Sequence, residues 1–285
     1  MRILMVCQHY WPEHFQVTEV CEELVARGHK VTALVGIPNY PTGIVPPEYH
    51  NGQNREESHN GVKIIRVEEV PRKPGVWGLA RNYLSYPREA RKAVRSLGEG
   101  YDVVFAYQLS PVFMAAPAVD YKKAFGAPVL LYCADIWPDA VLAMLPALAR
   151  PALPLIGAAS RKIYRGCDLI ATNSAAYVDG FEQVHGISRE RLCYLPQYAD
   201  DGYLDVDLDA PRSNVARFML MGNIGKLQDM GCVMEAIRLL GDRDDFVFHI
   251  VGTGSVASEC ERFAAENGLG ERVVFHGRHP VESMP

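Results

Sequence analysis

The sequence predicts an α/β fold made of parallel, doubly wound sheets in two domains. Three observations lead to this prediction. Short apolar runs rich in β-branched residues recur along the chain, segments with helical periodicity separate them, and 285 residues is near the length at which one core divides into two. Because strands that are apolar throughout are typical of sheets buried on both faces, we expect helices on both sides of the sheet.

Seven strands are predicted in the first domain, at residues 3–7, 31–36, 63–67, 102–107, 128–133, 169–172 and 192–195. A helix joins the first two strands, because Val17 and Cys21 recur at helical spacing and Gly28 ends the pattern. Ser110 and Pro111 suit the N-cap and the first position of another helix. The later helices are predicted over residues 111–125, 152–166 and 174–184.

An acidic stretch over residues 198–216 predicts a linker between a first domain at residues 1–197 and a second at 217–285. The second domain is predicted to hold strands at 217–221, 246–251 and 273–276 and helices at 230–240 and 256–267. These elements make up half of a doubly wound domain, so we expect an incomplete second domain and a chain truncated at its C-terminus. An incomplete sheet exposes a strand edge, through which the chain is expected to self-associate.

The composition is that of a globular protein, with 48% hydrophobic and 22% charged residues, and excludes a disordered chain. A net charge of -5 argues against a nucleic-acid partner, because neutralising phosphates needs a basic surface. The seven cysteines show no C-x-x-C spacing, so neither a disulfide framework nor a zinc site is indicated and a reducing cytoplasm is expected. No stretch reaches the roughly 18 uncharged apolar residues that a membrane span requires.

Two β-α turns of the second domain carry glycines, GNIGK at 222–226 and GTGS at 252–255. Backbone N–H groups in such turns can approach a phosphate, and the following helix N-terminus and Lys226 add positive charge, so the turns predict a diphosphate site. Glycines there can also serve tight backbone geometry alone. GTGSVA at 252–257 fits the dinucleotide pattern G-x-G-x-x-A as well, and Arg278 suits a 2′-phosphate, which leaves an NADP-dependent dehydrogenase as an alternative.

The complete sequences of nine segments are more specific evidence of a protein family than the glycines alone. They are YWPEHF at 10–15, RGHKVT at 27–32, PNYPTG at 38–43, LSP at 109–111, YCADIWPD at 132–139, YLPQYA at 194–199, GNIGKLQ at 222–228, VGTGS at 251–255 and FHGR at 275–278. In these segments, spread over essentially the whole chain, the sequence resembles retaining glycosyltransferases of family 4, which have the two-domain GT-B fold. Within that family it resembles the bacterial capsule and exopolysaccharide branch that includes provisionally assigned L-N-acetylfucosamine transferases.

The resemblance implies transfer of a sugar from a nucleotide sugar, expected to be a UDP-sugar, without a metal or other cofactor. It implies a donor held mainly by the second domain and a saccharide or lipid-linked saccharide acceptor held by the first, in surface polysaccharide assembly. Many relatives carry an arginine where Asn223 stands, and Lys226 is expected to take over its charge. The donor-binding residues that the resemblance implies are Phe15, Asn223, Lys226, Gln228, Gly252, Gly254 and Arg278.

Two residues of the first domain are candidates for catalysis. His14 lies in a loop where many relatives carry paired glycines against the donor, and its alternative is an exposed loop histidine. Asp135 follows an apolar strand and precedes Pro138, which suits the first position of a helix. A carboxylate at the carboxyl end of a central strand faces the ligand crevice, where Asp135 could hold an acceptor hydroxyl or take its proton, whereas its alternative is a helix cap.

Residues 205–209 spell DVDLD, the Asp-x-Asp pattern that metal-dependent glycosyltransferases of the other major fold use to hold a divalent ion. The pattern lies in the predicted linker, with no strand to fix the two carboxylates. A solvated linker is therefore the expected interpretation.

The segment 71–95 is strongly basic. It holds seven basic residues and one acid, Glu89, for a net charge of +6, with tryptophan, tyrosine and leucine interleaved. Such a segment suits an anionic membrane surface, and its alternative is a solvated helix face. We expect a cytoplasmic protein that is peripheral on the inner face of the cell membrane.

Two other classes of function remain open. One is a GT-B protein that epimerises or hydrolyses a nucleotide sugar instead of transferring it. The other is a non-catalytic binding fragment, because the chain ends before the segment where the family carries an E-x7-E motif. For the same reason the chain by itself is expected to be inactive.

Overall fold

A computed structural model describes residues 1–142, 147–199, 201–204, 213–225, 228–280 and 283. It divides into two compact units, Met1–Gln197 and Tyr198–Pro285. Both units are built on sheets of mainly parallel strands with helices between them. The α/β class predicted from the alternation of strands and helices is confirmed.

The first unit contains an eight-stranded sheet in the order β3-β4-β2-β1-β5-β6-β7-β8. Its strands are β1 (Arg2–Val6), β2 (Lys30–Val35), β3 (Glu56–His59), β4 (Val62–Arg66), β5 (Val103–Gln108), β6 (Val129–Cys133), β7 (Leu169–Thr172) and β8 (Leu192–Tyr194). All neighbours pair in parallel except β3 and β4. The central strand β1 is fully buried from Leu4 to Val6, as its apolar sequence predicts.

Within the described residues of the first unit, six α-helices connect these strands. They are α1 (Val17–Ala26), α2 (Val76–Ser96), α3 (Ala116–Phe125), α4 (Asp139–Leu142), α5 (Leu153–Gly166) and α6 (Ala175–His185). The longest, α2, buries Asn82, Tyr86, Ala90 and Val94, which recur every four residues along one face. The Tyr86 hydroxyl donates to the Leu34 carbonyl at 2.8 Å, which fixes α2 against β2.

Three local predictions differ from the structure. The edge strand β3 was not predicted, and it pairs antiparallel with β4. Pro111 has extended backbone angles, so helical backbone begins at Val112 and α3 only at Ala116, and Ser110 is not a helix cap. Pro138 likewise precedes α4, which begins at Asp139.

The second unit contains a three-stranded parallel sheet in the order β11-β10-β9. The strands are β9 (Ala216–Met221), β10 (Phe246–Val251) and β11 (Val273–Gly277), and the helices α7 (Met230–Leu239) and α8 (Ala257–Glu266) join them. Leu220, Ile250 and Val273 share an apolar core with residues of both helices. Met219 on the opposite face of the edge strand β9 is 59% exposed.

All seven cysteines are free, and six are shielded from solvent to different degrees. Burial raises the pKa of the Cys21 and Cys167 thiols to about 12 and also raises that of Cys7 and Cys133. Cys232 on α7 is the exposed one. Within the described residues no helix is long and apolar enough to cross a membrane.

Candidate functional site

The order in which the chain adds strands to the first sheet reverses at β1. The chain places β2, β3 and β4 on one side of β1 and β5 to β8 on the other. In an open parallel sheet, ligands bind beyond the carboxyl ends of the strands at such a switch point. The loops that follow β1, β5 and β6 therefore form the candidate site of the first unit.

The loop after β1 is fixed by the buried carboxylate of Glu13. Its Oε1 accepts hydrogen bonds from the backbone N–H groups of Asn39 and Tyr40, both at 2.6 Å. Its Oε2 lies 2.9 Å from Nδ1 of His9, and both side chains are about 5% exposed or less. One carboxylate thus ties the loop after β1 to the loop after β2.

The histidine that the structure buries beside this carboxylate is His9, not His14. The His9 ring stacks on Phe15, with centroids 5.0 Å apart, and Tyr40 closes the aromatic cluster. His14 is exposed and has no hydrogen bond to the described residues, which is the geometry of its alternative interpretation. Phe15 is half-buried and lies two residues before the start of α1. The roles predicted for His14 and Phe15 stay predictions.

A second buried carboxyl, that of Glu69, lies among three side-chain amides. Its Oε1 accepts from the amide nitrogens of Gln8 at 2.8 Å, Asn39 at 3.0 Å and Asn82 at 2.5 Å. Its Oε2 is buried without a hydrogen-bond partner among the described residues and lies against Gly36. Burial raises the pKa of this carboxyl to about 7, opposed by His9 and the amide bonds. Glu69 thus links the loops after β1, β2 and β4 to helix α2.

A buried guanidinium supports the same loop from the other side. The Arg66 side chain is 1% exposed and pairs with Glu57. Its Nη2 donates to the backbone carbonyl of Trp11 at 2.6 Å, and the guanidinium lies 4.8 Å from the ring centroid of Tyr49. The loop after β1 is therefore held by ionic hydrogen bonds, which are stronger than neutral ones.

Asp135 lies just beyond the end of β6, where its sequence position predicts. Its Oδ2 accepts a hydrogen bond from Ser110 Oγ at 2.7 Å, and Trp137 Nε1 donates to the same Ser110 oxygen at 3.1 Å. Gln108 donates to the backbone carbonyl of Asp135 at 2.6 Å. The residue is half-buried, and the hydrogen bond from Ser110 fixes the position of its carboxylate.

In the second unit, the two glycine turns pack against each other. A Cβ on Gly252 would lie 1.8 Å from the carbonyl oxygen of Gly222, and a Cβ on Gly254 would lie 2.3 Å from that of Ile224. Gly252 also has a φ of 141°. The backbone geometry of the two turns requires glycine at these positions. This supports the alternative in which the glycines serve tight backbone geometry and not phosphate binding.

Four of the eight described N–H groups in the turns, at 222–225 and 252–255, are already bonded. Those of Gly222, Ile224 and Gly252 donate to neighbouring carbonyls, and that of Gly225 donates to the Gln228 side chain at 3.2 Å. Ser255, directly before the helical turn into α8, has no hydrogen bond to the described residues. Among the described residues, the N–H groups of Asn223 and of Thr253, Gly254 and Ser255 donate no hydrogen bond, so both turns keep backbone that can meet an anion.

The other predicted donor residues are only partly brought together. The amide nitrogen of Asn223 and Oε1 of Gln228 both lie against Gly225, within 2.8 Å of where its Cβ would be. Arg278 is exposed just after β11. Lys226 and the DVDLD segment at 205–209 lie outside the described residues. Among the residues that are described, no group of three or more His, Cys, Asp or Glu side chains could hold a metal ion.

Sequence reasoning missed the buried polar residues of the first unit. His9, Glu13, Asn39 and Glu69 are all less than 10% exposed. Glu13 and Asn39 belong to the segments that carried the family resemblance, and this is the signal that could have selected them. Glu69 has no comparable signal, since its partner Gln8 is 61 residues away.

The fold matches that of known glycosyltransferases. A glycosyltransferase of Rickettsia africae ESF-5 aligns with a TM-score of 0.58 at 13% identity, over 98% of this chain and 68% of its own. The Anabaena protein Alr3699/HepE, solved in complex with UDP, aligns with a TM-score of 0.60 at 15% identity, over 99% and 70%. The two-unit architecture is therefore the GT-B fold of glycosyltransferases.

The family follows from a match at the level of sequence. The chain belongs to the glycosyl transferase 4-like domain family, whose model matches residues 14–197. It is also 24% identical, over 96% of its length and 71% of the relative, to an Escherichia coli K12 protein provisionally named as the colanic acid biosynthesis glycosyl transferase WcaI. The predicted family 4 resemblance and GT-B fold are confirmed, and the chain is a glycosyltransferase by family.

Proposed function

We propose that this protein transfers a sugar from a UDP-sugar, with retention of configuration, to a saccharide or lipid-linked saccharide during surface polysaccharide assembly. The observation that carries the proposal is the family match over residues 14–197. The similarity to WcaI supports a role in polysaccharide assembly. The similarity to HepE, which was solved with UDP, supports UDP as the nucleotide of the donor. No metal is required in this proposal, so transfer is expected to survive chelation of divalent ions.

The proposed donor site is the end of the second sheet. Departure of the nucleotide leaves negative charge on the diphosphate, and the N-termini of α7 and α8 together with Lys226 are proposed to stabilise it. Asn223 and Gln228 would line the same pocket, and Gly254 and Arg278 would lie near the nucleoside. The N–H groups of Thr253, Gly254 and Ser255 donate no hydrogen bond within the described residues, which supports this assignment because they are available to the diphosphate.

The proposed acceptor site is the end of the first sheet. Asp135 would orient an acceptor hydroxyl and take its proton, with its carboxylate fixed by Ser110. The Glu13 loop is proposed to shape the pocket beside it, with His14 and Phe15 reaching the donor. Residues 71–95 are proposed to meet an anionic membrane, where a lipid-linked acceptor would be found.

A binding experiment tests the donor site. Lys226→Ala is expected to weaken UDP affinity roughly 10- to 150-fold, the range of a charge-assisted hydrogen bond, and to leave the melting temperature unchanged. Arg262→Ala removes an exposed cation from α8 of the same unit and serves as the matched control. Titration calorimetry measures both variants. Equal UDP affinities for the wild type and Lys226→Ala would remove Lys226 from the donor site.

A product assay tests the reaction. Incubation of a UDP-sugar with and without a saccharide acceptor separates transfer from hydrolysis and epimerisation. Transfer predicts a new glycoside only with acceptor, and retention predicts the donor's anomeric configuration in it. Free sugar or an epimer formed equally without acceptor would contradict the proposal.

A further inference from the structure

The outer face of α2 carries cations and large apolar side chains but no acid. Its exposed positions recur at helical spacing and hold Val76, Trp77, Arg81, Leu84, Arg88, Arg91, Lys92, Arg95 and Ser96. The single acid of the helix, Glu89, is half-buried at the border of this face and pairs with Lys92 at 2.7 Å. The helix is therefore basic and amphipathic on the side away from the core.

This face is one wall of a groove of about 510 Å³ between α2, α3 and α5. The apolar floor includes Pro87, Val119 and Ile163, which are buried. Lys123 on α3 and Lys162 on α5 form the opposite walls, so the cations come from three separate helices. A solvated face of one helix would not account for cations that line a common groove.

The groove is strongly positive after its internal ion pairs are counted. Asp120 is the one acid that lines it, and it pairs with Arg91 at 2.6 Å. Arg95, Lys123 and Lys162 have no acid within 4.0 Å among the described residues. Three cations without a partner in a protein of net charge -5 make the groove complementary to an anion.

Apolar side chains stand beside the cations, toward one end of the helices. Trp77 is 84% exposed and Leu84 56% exposed on α2, and Leu155 is 75% exposed one turn before Ala159 of the groove. The strands β5, β6 and β7 are parallel, so α2, α3 and α5, which lead into them, run in the same general direction. The apolar N-terminal parts of α2 and α5 therefore lie on the same side, toward the carboxyl ends of the strands, and the cations that line the groove lie further along each helix.

We propose that the groove between α2, α3 and α5 binds the phosphate headgroups of anionic lipids, with Trp77, Leu84 and Leu155 entering the bilayer interface. An amphiphile satisfies both parts of the surface, because phosphate meets the cations and the interface takes the apolar side chains. A free phosphate or an acidic peptide uses only the cations. The inference deepens the membrane contact proposed for residues 71–95, and it is independent of sugar transfer.

Co-sedimentation with vesicles tests the groove without any turnover. The wild type is expected to bind phosphatidylcholine vesicles that contain about one-third phosphatidylglycerol, to ignore pure phosphatidylcholine, and to bind less tightly as salt shortens the Debye length. Lys123→Gln/Lys162→Gln is expected to weaken binding roughly 25-fold, about fivefold for each charge. Lys30→Gln/Arg262→Gln removes two exposed cations outside the groove and is expected to change binding less than about twofold.

The fluorescence of Trp77 tests the apolar end of the groove. Phosphatidylglycerol vesicles are expected to shift the emission of the wild type to the blue, because Trp77 would move from water into the interface. Trp77→Phe should lose the shift, because the two remaining tryptophans are shielded from the bilayer: Trp137 is 4% exposed and Trp11 is half-buried.

Four results would overturn the inference. One is a wild type that does not bind the anionic vesicles at low salt, and another is equal weakening by the groove variant and the control variant. The third is displacement from the vesicles by inorganic phosphate at constant ionic strength, which would make the groove a site for free phosphate. The fourth is tight, groove-dependent binding of polyglutamate without vesicle binding, which would make an acidic polypeptide the partner.

Discussion

Replacing Glu69 by glutamine should change how the stability of the first unit depends on pH. The Glu69 carboxyl is buried, and its pKa is raised from 4.5 to about 7. Between these two pKa values the native state binds more protons than the unfolded state, so the free energy of unfolding falls as pH rises. Each unit of pKa difference corresponds to about 1.4 kcal/mol. Titration of this group should therefore lower the free energy of unfolding of the wild type by about 3 kcal/mol between about pH 4.5 and pH 8.

The glutamine variant should lose this dependence. Glutamine stays neutral, and its carbonyl can still accept from the amides of Gln8, Asn39 and Asn82. Its NH2 group would take the place of Oε2, which has no partner, and that penalty is expected to be the same at every pH. The comparison of pH slopes between wild type and variant therefore isolates the titration of Glu69.

Urea unfolding followed by tryptophan fluorescence is the assay. All three tryptophans, Trp11, Trp77 and Trp137, lie in the first unit, so the signal reports that unit. Glu68→Gln removes a carboxyl from the adjacent, exposed position and should keep the wild-type slope. Parallel slopes for the wild type and Glu69→Gln would show that Glu69 does not ionise in this range, and the reasoning from burial would be wrong.

Further variants test the two candidate sites. Asp135→Asn is expected to lower the rate of transfer roughly 100-fold or more with UDP affinity unchanged, whereas Ser110→Ala keeps the carboxylate and should cost about tenfold at most. Initial rates with saturating donor measure both, and full turnover by Asp135→Asn would end the catalytic assignment. Gly252→Ala should destabilise the second unit by roughly 3 kcal/mol or more, from its positive φ and the contact with the Gly222 carbonyl. Gly231→Ala, in open space on α7, should instead stabilise it by about 0.5 to 1 kcal/mol. Far-UV circular dichroism follows both glycine variants, and equal stability for the two would contradict the packing of the turns.

Each of the ten predicted strands lies within one residue of its observed bounds, including β4, whose sequence VKIIR is only partly apolar. β1, β2 and β6 are buried on both faces, and that environment selects apolar residues at every position. β3 was not predicted because its sequence, EESH, is polar. It forms because Asn60 and Gly61, with φ of 46° and 81°, make a tight turn onto β4. The Asn-Gly pair was the available signal.

The candidate site was predictable to the extent that it depends on strand ends. Asp135 could be selected because a residue that follows a central parallel strand lies at the ligand edge. The amide cluster around Glu69 could not be selected, since Gln8, Asn39 and Asn82 come from three separate connections and only the folded sheet brings them together. Ser110 was interpreted as a helix cap, and its hydroxyl instead bonds the Asp135 carboxylate. Local propensity alone does not reveal a tertiary partner of this kind.

The burial of the cysteines makes the unmodified chain suitable for single-site labelling. A thiol reacts as its thiolate, and the raised pKa values of Cys7, Cys21, Cys133, Cys167, Cys193 and Cys260 suppress that form. Cys232, exposed on α7, is therefore expected to take up a maleimide dye first. Resonance energy transfer from the tryptophans of the first unit to a dye on the second would then report the distance between the units in solution, and its change when UDP is added, without any engineered cysteine.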